Sequence, residues 1–291
     1  GRYDEDEEVT LTATAQTGWV FIGWYQNNGE TADSVSTNDE YTFMMSEDNV
    51  TFTARFIEDK LYQAEQAKDA FDEAQKKDSL TWDILTDAVD AYEAVAAYLE
   101  QVKAIGGLLT DEEKAALDNR YTALTDYYNE VQTLNLPNQG IDNADLAKLY
   151  LFTGVTELNL SGNKGVTDLT ALKDLTQLET LDISNTGVTT ADVLVSGDAL
   201  AFPGLKTLTA KNLSLTSISA LAELVSAEGF NTDAITKWDF TGSTLTDSEE
   251  NKADVKAIQD VLGDRFTPPT ILTTPTGGGG GGATTYAVTV E

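Results

Sequence analysis

The side chains that ordinarily run chemistry near neutral pH are missing from this chain. It has no His and no Cys, which removes the usual general base, the commonest transition-metal ligand, thiol nucleophiles and zinc–thiolate sites. Disulfides are excluded with them. A Ser or Thr nucleophile would need Lys as its activator, and the Ser-x-x-Lys spacing occurs in no setting suited to that. With 49 acidic residues, neighbouring carboxylates arise by chance, so no pair points to acid–base catalysis by itself. The glycines from Gly277 to Gly282 lead into neither Lys-Ser/Thr nor a helix, so they form no phosphate loop. No EF-hand loop occurs, and the acidic runs Asp4 to Glu8 and Asp247 to Glu250 read as solvated faces. The expectation is a protein that is not an enzyme and uses no cofactor.

What remains is a polar surface presented at regular intervals. Four segments between Val155 and Ser243 share one frame, with an apolar residue at the first, fourth and sixth places. Their fourth places are Leu158, Leu181, Leu208 and Trp238, at spacings of 23, 27 and 30 residues. Strand alternation puts one set of side chains inward and the other outward. The outward set is Glu157, Asn159, Ser161, Thr180, Asp182, Ser184, Thr207, Thr209, Lys211, Lys237, Asp239 and Thr241, the candidate binding face. Four strands about 4.8 Å apart span roughly 15 Å and offer ~200 Å². A stable partner needs nearer ~800 Å² per side. A tight partner would therefore also engage the helical bundle or the long insertions at residues 189–203 and 227–233.

The elements that must hold this face read as a multidomain α+β chain. Residues 1–57 alternate with period 2 as four short strands, bounded by loop chemistry at residues 27–39. Residues 58–135 change to helical spacing. Leu61, Ala64, Phe71 and Ala74 mark one helix, Trp82, Leu85, Val89, Tyr92, Ala96 and Leu99 a second, and Leu117, Tyr121, Leu124, Tyr128, Val131 and Leu134 a third. Thr110 and Glu113 have capping-box spacing, and the three stripes predict an antiparallel bundle. Residues 136–266 hold the repeats, with a short helix begun by Asp142 at one end and a helix opened by Thr246 and Glu249 at the other. Repetition at this period is the mark of a leucine-rich solenoid, which needs such caps. Residues 267–283 read as a Pro/Gly linker, and residues 284–291 as the first strand of a following module.

Two stretches resemble a known family. The order of strands from Val9 to Phe56, with Gly18-Trp19, Gly23-Trp24 and a closing Phe52 to Phe56, resembles the divergent B-repeat of the internalins, a small β-grasp-like module. The segment from Val155 to Val188 is similar to internalin-type leucine-rich repeats, in which the Asn at the place of Asn163 bonds backbone groups in the turn. Leu213 and Ser243 stand where that Asn is usual, so those turns should be built differently. The resemblance implies an extracellular, cell-wall-associated protein of a Gram-positive or gut bacterium, with adhesion to an unidentified protein or glycan as its role. Spacer modules are the alternative.

The formal charge of −31 opposes nucleic-acid and anionic-membrane binding, and no apolar run is long enough to span a bilayer. The opening Gly1-Arg2, without Met, suggests a piece of something longer. Tyr286 to Val290 has the strand form that precedes such modules. It is expected to pair with a β-module edge, in its own chain or by exchange with a neighbour.

Overall fold

The computed structural model describes residues 1–26 and 34–272. The chain divides into two compact units, Gly1–Lys76 with Ile84–Thr125, and Lys77–Asp83 with Asp126–Glu291. The architecture is mixed α/β. Tyr286 to Val290 and the glycine run lie outside the described residues.

The first unit opens with β1 (Glu8–Thr12), β2 (Trp19–Gln26), β3 (Glu40–Met44) and β4 (Phe52–Glu58). They form two separate antiparallel pairs, β1 with β3 and β2 with β4. Strict alternation along β2 would put Phe21 and Trp24 on opposite faces. A register shift between Phe21 and Gly23 changes the parity, as a bulge does. Both rings are therefore buried together, edge to face at 5.7 Å. Leu11, Tyr41, Phe52 and Phe56 close over them. Gly23 sits at φ +141°, and a Cβ there would lie 2.8 Å from that of Ser34.

Three helices follow: α1 (Lys60–Lys76), α2 (Trp82–Ala104) and α3 (Asp111–Glu130). Thr110 and Glu113 make the reciprocal box at the start of α3. The Thr110 N–H donates to the Glu113 carboxylate at 2.8 Å, and the Glu113 N–H to the Thr110 hydroxyl at 3.2 Å. Arg120 holds Glu65 through two parallel bonds of 2.8 and 2.6 Å. The buried stripe of α2 differs from the simple spacing. Ala96 is exposed, while Val95 and Tyr98 are inside.

The second unit is built on a six-stranded parallel sheet. Its strands are β5 (Thr133–Asn135), β6 (Glu157–Asn159), β7 (Thr180–Asp182), β10 (Thr207–Thr209), β12 (Lys237–Asp239) and β14 (Phe266–Thr267). Between them come the hairpin of β8 (Val195–Ser196) and β9 (Ala199–Leu200), then β11 (Ser214–Leu215), α4 (Ser219–Ser226), β13 (Thr244–Thr246), α5 (Glu249–Leu262) and β15 (Thr270–Leu272). β11, β13 and β15 make a second parallel ladder.

The central residues stand in direct register: Leu134, Leu158, Leu181, Leu208, Trp238 and Phe266. Each is at most 3% exposed, and burying each such side chain contributes roughly 1.5–3 kcal/mol before entropy is charged. The sheet is thus two strands longer than the four-segment frame. Leu134, placed by spacing on the third helix, begins the sheet instead. Val131, Leu134 and Leu136 repeat the frame, but an unbroken helical stripe runs straight into it. At the other end Phe266–Thr267 and Thr270–Leu272 extend both ladders within what reads as the start of a linker. Pro268 and Pro269, which have no N–H to give a ladder, occupy the corner between them.

One column follows five of the six strands. Four residues after each central position stand Asn138, Gly162, Asn185, Asn212 and Gly242, all with φ between +56° and +79°. Only Gly, and Asn at modest cost, adopts this left-handed backbone readily. Their N–H groups donate to the next rung: Asn138 to the Ser161 carbonyl, Gly162 to Ser184 and Asn185 to Lys211, each at 2.8 Å. The neighbouring Asn163 accepts from the N–H groups of Gln139 and Ile141 and donates to the carbonyls of Leu136 and Leu160. The turn at Leu213 is indeed built differently. Ser243 of the next rung accepts the Leu213 N–H and donates to the Ala210 carbonyl.

The end helices also differ in detail from the reading by spacing. Asp142 accepts from the N–H groups of Ala144 and Asp145 and begins a 3-10 turn over Asp145–Leu151. Ser248, not Thr246, caps α5, accepting from the Asn251 N–H. Asn251 instead secures Thr246 by donating to its carbonyl.

Replacing Asn185 with Val is expected to cost about 1–2 kcal/mol, because a β-branched side chain pays the left-handed penalty. Asn185→Gly should stay within about 0.5 kcal/mol of the natural protein. Urea unfolding of both variants measures this, and equal stabilities would contradict the role given to the column. Asn163→Ala should cost more, about 2–4 kcal/mol, since it removes from a fully buried position the side chain that holds the Gln139 and Ile141 N–H groups and the Leu136 carbonyl.

Candidate functional site

The rung face is a single polar stripe, but much of it is already committed. Asn159, Asp182 and Asp239 each turn a side-chain oxygen onto the N–H two residues ahead, at 2.9, 2.8 and 3.0 Å. Asn159 also donates to Asn135 on the preceding strand at 2.8 Å. The Ser184 hydroxyl accepts the Lys211 N–H at 3.0 Å. These side chains hold the strand ends and are not free to meet a ligand.

Asp239 is buried, at 7% exposure. Lys211 and Lys237 reach its carboxylate at 3.2 and 3.8 Å. Burial pushes its carboxyl up, but the hydroxyl and N–H of Thr241 and the Lys211 ammonium more than offset this. The net result is a carboxyl held below its usual range. The two lysines therefore neutralise a half-hidden acid before they offer charge to anything outside. Glu157, Ser161, Thr180, Thr207, Thr209 and Thr241 complete the face, with Glu157 and Thr241 the more exposed.

The concave feature of this unit lies at the insertions. A groove of about 670 Å³ is lined by the β8–β9 hairpin, by α4 and by the loop that follows it. Leu200, Leu224 and Phe230 give it apolar surface, and Asp198, Glu223 and Glu228 give it charge. No basic residue lines it. Thr190 fixes the approach to the hairpin, its hydroxyl accepting the Asp192 N–H to cap the turn Ala191–Leu194. Composition cannot reveal this groove. The signal available beforehand is the widening of the spacing to 27 and 30 residues, which states where extra chain is added but not that two additions meet.

Residues 1–60 match the family model described as Divergent InlB B-repeat domain. That stretch is thus similar to the divergent B-repeat of internalins. No curated protein matches the chain. Solved structures similar to it include the crystal structure of an internalin (InlF) from Listeria monocytogenes strain 4b F2365, at 17% identity and a TM-score of 0.29. That match covers 51% of this chain and spans 45% of the internalin's length.

Among the described residues, no group of His, Cys, Asp and Glu is arranged to hold a metal ion. No described helix is long and apolar enough to cross a membrane.

Because the Asp239 carboxyl is depressed in the folded state, its contribution to stability is complete above the ordinary value of 3.8 and is lost as pH falls through the folded value. Asp239→Asn should therefore flatten the acid limb of the stability–pH curve below about pH 4 while lowering stability at pH 7. An unchanged acid limb would show that the carboxylate is not held as described.

Proposed function

We propose that the second unit is an internalin-type leucine-rich-repeat domain, carried with the B-repeat on the surface of a bacterium, and that its work is non-enzymatic binding of a protein or glycan in adhesion. The observation that carries this reading is the groove between the two insertions, in a unit whose strand face is polar throughout. Six strands about 4.8 Å apart extend that face to roughly 24 Å. At the same area per length the face offers ~300 Å², below the ~800 Å² that a stable partner needs on each side, so the groove must supply part of the contact. The absence of His and Cys supports a binding role over catalysis.

A second reading, a spacer that holds other modules away from the cell wall, is favoured by the strand face taken alone. Its Asn, Asp and Ser side chains are spent on backbone bonds.

An array of host proteins and glycans probed with the whole chain separates the two. Adhesion predicts saturable binding to at least one feature, weakened tenfold or more by Thr180→Arg with Thr207→Arg or by changes in the groove. No saturable signal on any feature would count against adhesion and for the spacer.

A further inference from the structure

The groove has a definite chemical character. Leu200 and Leu224 are almost wholly buried, and Phe230 is half-buried. Around them Asp198, Glu223 and Glu228 are exposed, and none forms an ion pair among the described residues. Elsewhere in the same unit five lysines are taken up by acids: Lys206 by Glu179, Lys211 and Lys237 by Asp239, Lys252 by Asp247 and Glu249, and Lys256 by Asp260. Three acids line the groove and no basic residue does. A ligand that brings positive charge complements that rim, and one that also brings an apolar side chain meets the groove's apolar surface.

We propose that the groove between the β8–β9 hairpin and the loop after α4 binds a short peptide segment that carries Lys or Arg beside an aliphatic or aromatic anchor. The inference rests on the adhesion reading and narrows it to a basic peptide partner. The apolar side chain would be held against Leu200, Leu224 and Phe230, where exclusion of water makes each contact count most. The basic side chains would meet Glu223, Glu228 and Asp198 at the rim, which sets orientation and speeds encounter more than it adds affinity. A neutral glycan would satisfy the polar rim but would leave both the apolar surface and the charge unanswered. An anionic one would be repelled.

The test uses the whole chain and a panel of fluorescein-labelled hexapeptides with two Lys or Arg and one Leu or Phe. Matched panels carry Gln in place of the basic residues, or Ser in place of the apolar one. Fluorescence anisotropy at 0.15 M salt should give saturable binding for members of the first panel and binding at least tenfold weaker for both controls. Glu223→Lys with Glu228→Lys should weaken the first panel at least tenfold. Asp111→Lys with Glu112→Lys, an equal change of net charge on α3, should alter it less than twofold.

Equal losses from both double variants would mean attraction to net charge alone and would overturn the proposal. So would binding that survives the groove variant, or the absence of binding by every basic–apolar peptide. If the peptides fail while a glycan or protein array still shows saturable binding, the groove inference falls and the adhesion reading stands.

Discussion

Five strands of the second unit's main sheet stop after three residues and turn, and a left-handed residue does this at the same place in each. Asn138, Gly162, Asn185, Asn212 and Gly242 carry that conformation. The consequence is structural. The turn returns the chain so that the next apolar residue falls beside the last, and the N–H of the turning residue bonds to the rung above. A rung in isolation would bury almost nothing. Stacked, the rungs pool their leucines into one column from Leu134 to Phe266, and each depends on its neighbours as elements of linear arrays do. The same geometry leaves a polar stripe outside, and much of that stripe serves the turns themselves.

This division of labour explains where binding capacity can reside. Asn159, Asp182 and Asp239 lie on the face that a ligand would approach, yet their oxygens hold backbone N–H groups. Substituting them would loosen the scaffold before it altered recognition. The exposed side chains of the insertions, Asp198 and Glu228 among them, carry no such duty. Added between rungs, the insertions lengthen the return path without disturbing the strand register, so these side chains are available for other use. Asp198, Glu223 and Glu228 line the groove with no basic residue among its lining.

Part of this was readable from the residues in order. The central column at 158, 181, 208 and 238 follows from the frame, because burial of a strand residue needs only period 2 and a repeat. The helices of residues 60–130 follow from spacing and from the Thr110–Glu113 box. The outer two strands did not follow. Leu134 continues a helical stripe that begins at Leu117, and local periodicity cannot tell where a helix yields to a strand when both patterns fit. Phe266–Thr267 is followed by two prolines, which look like a linker until a neighbouring strand offers them a corner. Phe21 and Trp24 share a core only because a bulge shifts the parity, and nothing in their spacing announces a bulge. The groove was legible only as surplus length, since the meeting of two insertions is set by tertiary packing.

The central claim is that the rungs stand or fall together through their apolar column. Native-state hydrogen exchange on Leu208→Ala tests it most directly, because it reads each strand amide separately. If the column couples the rungs, protection should fall on β7 and β12 as well as on β10, with a similar free-energy decrement at each. If protection is lost on β10 alone while its neighbours keep theirs, the rungs are independent and the account is contradicted.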